Sequence, residues 1–300
     1  MDQMTFSLFF QSLINGLNQG AIYALIALGY TMVYGIIRMI NFAHGDFIMI
    51  GAYTLFYTIP LMINAGMPAW LSVIVAIAVC ALVGVLVETF AYRPVRKAGP
   101  MSALITALAM SIFLENLAMV LFGAKPHNVQ AIFSLPTITV GSVALPLNVL
   151  LTIAIGLGIM IALQLFVKKT KLGKAMRAVS EDMGAAQLMG ISLNKTISFT
   201  FAVGSALAGI GSVLYLCAYS QASPTMGSML GLKAFVAAVL GGIGSIPGAM
   251  IGGFAIGLLE ALVSAVGLSV WKDGVVFAIL IVVLLVKPTG ILGRPQTEKV

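Results

Sequence analysis

The chain has 300 residues, 60% of them hydrophobic and 8% charged, with a mean hydropathy of +1.09 and a formal net charge of +7. Soluble domains carry about 25% charged residues, and apolar runs of about 20 residues, the length that spans a bilayer, fill most of this chain. The composition excludes a soluble catalytic domain and predicts an all-α integral membrane protein, a polytopic helical bundle of about eight to ten spans forming one membrane domain over residues 1–300.

The cations fall in short loops between apolar runs, so the positive charge is topological and points to no nucleic-acid partner. Arg93, Arg96 and Lys97 form one cluster, Lys168, Lys169, Lys171, Lys174, Arg177 and Lys195 a second, and Lys287, Arg294 and Lys299 a third. All three are assigned to the cytoplasmic side. Spans are predicted at 8–34, 46–62, 68–90, 101–122, 147–167, 196–218, 229–249, 250–267 and 270–286. Two spans separate the first two clusters and four the last two, and even numbers return the chain to the same side. The same count places the N-terminus outside. It lacks a basic n-region and a small-residue cleavage site, so no removable signal peptide is expected.

In chain order, the first irregular feature is Ile40-Asn41-Phe42-Ala43-His44-Gly45-Asp46, with Arg38 just before it, interrupting the apolar stretch from Leu28 to Gly51. A half-helix starting near Gly45 would aim backbone N–H groups at the protein interior, a place for a carboxylate. Asp46 fits the dipole of that first turn by itself and would repel an anion. Glu88, Glu115 with Asn116, and Glu260 stand out as polar groups within spans. Charges at bilayer depth are expensive and face a bundle interior or a cavity. Glu88 pairs most simply with Arg93 or reaches the lipid interface, whereas Glu115 and Glu260 divide between an interhelical hydrogen bond and a place along a pathway. Cys80 and Cys217 lie in apolar stretches as packing residues.

Residues 123–146 form the longest polar excursion on the outer side. The alternating run Thr137-Ile138-Thr139-Val140-Gly141-Ser142-Val143 fits a β-hairpin, with a plain connecting loop as the alternative.

The polar segment 168–195 contains Glu181-Asp182-Met183-Gly184-Ala185-Ala186-Gln187-Leu188-Met189-Gly190. Ser180 is expected as N-cap, Glu181 and Asp182 as first-turn acids, and Gly190 as the stop. Ala185, Leu188 and Met189 then share one face. So short a helix is marginal alone and needs a groove on another protein. Further on, Gly241-Gly242-Ile243-Gly244-Ser245-Ile246-Pro247-Gly248 holds too many helix breakers for one continuous span and predicts a broken or re-entrant segment, tolerated only against protein or a water-filled path. Small residues four apart, as at Gly204, Ala208 and Ser212 or Gly253 and Gly257, let backbones approach closely.

Gly173-Lys174 is followed by Ala175 and lacks the preceding glycine of a P-loop. His44 and His127 are the only histidines, too few for a metal cluster, and no nucleophilic serine motif stands out. An enzyme is therefore not expected, and no cofactor is expected in this chain.

At these residues the sequence resembles a known family. The run Glu181 to Gly190 looks like the coupling motif of ABC importer permeases. Asn15 to Tyr53, including Gly29-Tyr30-Thr31-Met32-Val33-Tyr34-Gly35-Ile36 and Met39-Ile40-Asn41-Phe42-Ala43-His44-Gly45, together with Ala91-Tyr92-Arg93-Pro94-Val95-Arg96, Lys233 to Gly253 and Pro288-Thr289-Gly290-Ile291-Leu292-Gly293-Arg294-Pro295, resembles the bacterial high-affinity branched-chain amino acid permeases of the LivH type.

The resemblance implies an ABC importer permease fold with broken helices in the bacterial inner membrane. It also implies a second, related permease subunit as heterodimer partner, two cytoplasmic ATPase subunits that hydrolyse the ATP, and a periplasmic binding protein delivering leucine, isoleucine or valine. Glu181, Asp182, Ala185, Ala186, Leu188, Met189 and Gly190 are then the ATPase-coupling residues. Asn41, His44, Gly45, Glu115, Gly241, Gly242 and Gly244 are the pathway candidates. Related amides, urea or other amino acids are alternative substrates. Other readings are an ion-driven secondary transporter using Glu115, Glu260 and His44 as relays, and a structural or signalling membrane protein.

Overall fold

The computed structural model describes residues 3–37, 39–96, 98–133, 136–140 and 143–293. Arg38, Lys97, Gly141, Ser142, Arg294, Pro295 and Lys299, which figured in the sequence reading, lie outside the described residues. The elements run α1 (Gln3–Ile37), α2 (His44–Asn64), α3 (Leu71–Val87), a π-helical turn at Glu88–Tyr92, α4 (Arg93–Val95), α5 (Pro100–Phe122), β1 (His127–Asn128), β2 (Thr137–Val140) and β3 (Val143–Pro146). They continue with α6 (Leu147–Lys169), α7 (Lys171–Glu181), α8 (Met183–Leu188), α9 (Leu193–Tyr219), β4 (Gln221–Ala222), α10 (Met226–Gly241), α11 (Ile246–Ala265) and α12 (Lys272–Val286).

Among the described residues, eight helical segments are long and apolar enough to cross a membrane, and α10, at 16 residues, is a shorter apolar helix. The span expected at 229–249 is therefore corrected: its helix starts earlier and stops at Gly241. Gly242 adopts φ +105° and Gly244 φ +91°, a left-handed region that a Cβ makes costly. Ser245 then caps α11 by accepting from the Gly248 amide at 3.2 Å. The break expected from the glycines and Pro247 lies here, between two antiparallel helices.

The chain forms two compact units. One comprises residues 32–134 and 162–232. Within it α3 lies along α9, and α2 packs on both. Small residues make this approach possible: a Cβ on Gly84 would fall 1.9 Å from Ser205 Oγ, and one on Gly51 2.4 Å from Ser212 Oγ. Close backbones gain dispersion contacts that lipid tails cannot match. Cys80, fully buried, donates its thiol to the Phe47 carbonyl at 3.2 Å, the packing role expected of it. β1 pairs antiparallel with β4, a ladder too short for a sequence pattern to announce.

The other unit comprises residues 1–31, 135–161 and 233–300. Here Gly253 and Gly257 of α11 meet Ala24 and Gly20 of α1, and Gly252 meets the Ala237 carbonyl of α10. β2 and β3 form the expected hairpin, registered Thr137 opposite Pro146 and Val140 opposite Val143. The chain after α12 returns to α10, where the Ile291 and Leu292 amides donate to the Leu240 and Gly241 carbonyls at 2.8 and 2.9 Å.

Candidate functional site: a capped surface helix and a buried polar cluster

The segment 168–195 folds as two helices rather than one. Thr170 caps α7 by accepting from the Gly173 amide at 3.0 Å. Gly173, Met176 and Val179 are buried while Lys171, Lys174 and Arg177 face outward, so α7 rests on α9 by one apolar stripe.

The expected cap is corrected at the next turn. Ser180 is inside α7, where its hydroxyl donates back to the Arg177 carbonyl at 2.7 Å, and Glu181 ends that helix. Asp182, extended at φ −155° and ψ 111°, interrupts the helix and accepts from the Ala185 amide at 2.9 Å, making it the N-cap of α8. The stop is as expected. Gly190 has φ +83°, its amide donates to the Gln187 carbonyl and that of Ile191 to the Ala186 carbonyl, both at 3.0 Å, which together form a Schellman motif. Ala186 is buried, Ala185 is exposed, and Leu188 and Met189 are 90% and 83% exposed. A six-residue helix closed at both ends thus presents two large apolar side chains outward.

The pathway candidates divide between the units. In the first, Asn41 is buried and accepts from the Tyr92 hydroxyl at 2.7 Å. His44 and Asp46 are fully buried in the first turn of α2, which begins at His44 as the half-helix reading expected. Gly45 permits a close approach: a Cβ there would lie 2.2 Å from the Gly227 carbonyl of α10. Glu115, half-buried on α5, accepts a hydrogen bond from Ser228, the residue after Gly227. The adjacent Gly45 and Asp46 of α2 and Glu115 of α5 therefore converge on the start of α10, while the Asn41 side chain pairs with Tyr92. Gly241, Gly242 and Gly244 belong to the other unit, at the α10–α11 break.

Glu88 pairs with Arg93 at 3.0 Å, as expected, and also with Arg96, while Ser198 of α9 donates to it at 2.6 Å. Burial pulls the Arg96 guanidinium below its ordinary pKa, an effect that Glu88 opposes.

One constellation was missed from the sequence. Lys233 of α10 lies 2.7 Å from both Glu260 of α11 and Asp273 of α12, and Tyr23 of α1 donates to the other Glu260 oxygen at 3.1 Å. The signal was present as a lysine within an apolar run, which at bilayer depth calls for a partner. Glu260 thus joins an interhelical ion network, the first of the alternatives left open for it.

A chain of long apolar helices broken at glycines, with a few charges buried in paired clusters and a short capped helix that presents Leu188 and Met189 outward, has the character of a multi-pass membrane permease. The sequence profile described as "Branched-chain amino acid transport system / permease component" matches residues 12–284, and the chain belongs to that family. It is 45% identical to the high-affinity branched-chain amino acid transport system permease protein LivH of Salmonella typhimurium, over 98% of this chain and 99% of the relative. It is 44% identical to the corresponding permease protein BraD of Pseudomonas aeruginosa, over 97% and 98%. The ribose import permease protein RbsC of Escherichia coli is 25% identical over 90% of this chain and 83% of its own. No solved structure matches the chain.

Proposed function

We propose that this chain is the permease subunit of an ATP-driven importer that carries leucine, isoleucine and valine across the bacterial inner membrane. It acts as one membrane domain, paired with a second, related permease. Two cytoplasmic ATPases supply the energy, a periplasmic binding protein delivers the substrate, and this chain holds no nucleotide or catalytic site of its own. The similarity to LivH and BraD, each named for branched-chain amino acid transport, supports the substrate class. The pairing of Glu260 with Lys233 leaves an ion relay with one fewer available group.

The observation that carries the coupling is α8. Burying Leu188 and Met189 in a groove of an ATPase contributes about 2 kcal/mol each, and Asp182 and Gly190 make the helix rigid enough to transmit a push. ATP binding closes the two ATPases, α8 moves with them, and α7 passes the displacement to α9, switching the pathway between its two faces. A zwitterion with an apolar tail needs few dipoles and much apolar wall, which suits Asn41, His44, Gly45 and Glu115 in one unit and, taken by itself, the break at Gly241, Gly242 and Gly244 in the other as pathway candidates.

The test is ATP-driven uptake of labelled leucine in vesicles holding the full assembly, comparing this chain with its Leu188→Asp variant after both are shown to insert. Uptake and ATPase docking lost together is the expected result. Undiminished uptake in the variant would overturn the coupling role of α8.

A further inference from the structure

Among the described residues the acidic pair at the start of α10 lacks a cation. Asp46 is fully buried with Ser111 of α5 within hydrogen-bonding reach and the Glu115 carboxylate beside it, and no Lys, Arg or His side chain among the described residues forms an ion pair with it. Its Oδ1 lies against Gly227, where a Cβ would come within 2.8 Å. Among the described residues Glu115 receives the Ser228 hydroxyl, and the ion pairs all involve Glu88, Glu260 or Asp273, never Asp46 or Glu115.

Depth sharpens the problem. Glu115 is seven residues before the end of α5 at Phe122, about 10 Å along a helix rising 1.5 Å per residue, which places it within the hydrocarbon region of a bilayer. A carboxylate that reaches the surface at this depth is costly against lipid, so this face borders water or protein. The cluster runs inward from exposed Ser228 through half-buried Glu115 to buried Asp46. A carboxylate buried without a cation costs several kcal/mol until one pairs with it.

We propose that Asp46, Glu115 and Ser228 form the subsite that takes the ammonium group of the transported amino acid, an inference that rests on the function proposed above. An ammonium carries the missing charge and three N–H donors, matching two carboxylates and a hydroxyl, with charge-assisted hydrogen bonds strong enough to orient the substrate. A hard metal ion takes six or more oxygen ligands, and no group of three or more His, Cys, Asp or Glu side chains among the described residues could hold one. Gly45 and Gly227 keep α2 and α10 close enough for the three groups to meet.

The test uses the full assembly in vesicles, with a Ser228→Cys variant exposed to a small methanethiosulfonate and the chain with native Ser228 as background. Leucine is compared with 2-hydroxy-4-methylpentanoate, which keeps the carboxylate and apolar tail and replaces the ammonium by a hydroxyl. At about ten times its Kd, leucine is expected to slow labelling of Cys at this position about tenfold by occupancy, and the hydroxy acid at the same concentration to leave it unchanged. Adding Glu115→Gln or Asp46→Asn abolishes the protection; a purely structural role for either residue would leave the contrast between the two ligands intact. Equal protection by both ligands, or protection by sodium alone, would overturn the ammonium subsite. So would an absence of protection in an assembly that imports leucine. An unmodified assembly that imports no leucine fails the functional reading itself, a result distinct from the other three.

Discussion

Replacing Lys233 by methionine probes a charge shared by three membrane helices. Its amine lies 2.7 Å from Glu260 and 2.7 Å from Asp273, and the side chains are 6%, 8% and 38% exposed. Without the lysine the two carboxylates stand no farther apart than the sum of those distances, and at an effective dielectric of about 20 their repulsion reaches about 3 kcal/mol. Removing one partner of a buried pair costs about 3 kcal/mol or more. Asp273→Asn, at the most exposed member, costs about 1 kcal/mol or less. Lys233→Met combined with Glu260→Gln recovers at least half of the single loss, because no buried charge is left unpaired. The assay is the thermal midpoint of the detergent-purified assembly, followed by its monodisperse fraction. A fall of roughly 6 °C or more is expected for Lys233→Met. If Lys233→Met were no more harmful than Asp273→Asn, the network would not be what holds α10, α11 and α12 together.

Two further outcomes follow from packing and capping. Gly84→Ala places a Cβ 1.9 Å from Ser205 Oγ and forces α3 away from α9, whereas Gly158→Ala meets nothing within 4 Å; the first lowers the thermal midpoint by the equivalent of about 1–3 kcal/mol and the second leaves it unchanged or higher. Asp182→Ala removes the Ala185 amide's acceptor and costs about 1 kcal/mol locally, read as faster amide hydrogen exchange across residues 183–190 with no change in exchange across α9.

Much of the fold was legible because the bilayer leaves so few options. Backbone groups in lipid must pair within a helix, so apolar runs alone announced the spans, and Gly241 to Gly248 announced the break. Gly190 was legible as a stop because few other residues accept its positive φ. Ser180 misled for a local reason: Ser and Asp two residues apart are both good caps, and only the extended backbone at Asp182 shows which of them begins a helix. The short pairing of β1 with β4 has no periodicity to read.

The sequence by itself determined an all-helical membrane protein, the ladder of its spans, a polar segment with a short terminated helix, and, by resemblance, its family. Tertiary structure alone decided which charges meet. Lys233 finds Glu260 and Asp273, and Asp46 comes beside Glu115, 69 residues further along the chain. Hydropathy and helix periodicity are properties of neighbours along the chain, while the partner of a buried charge is set by which helices their small residues allow to approach.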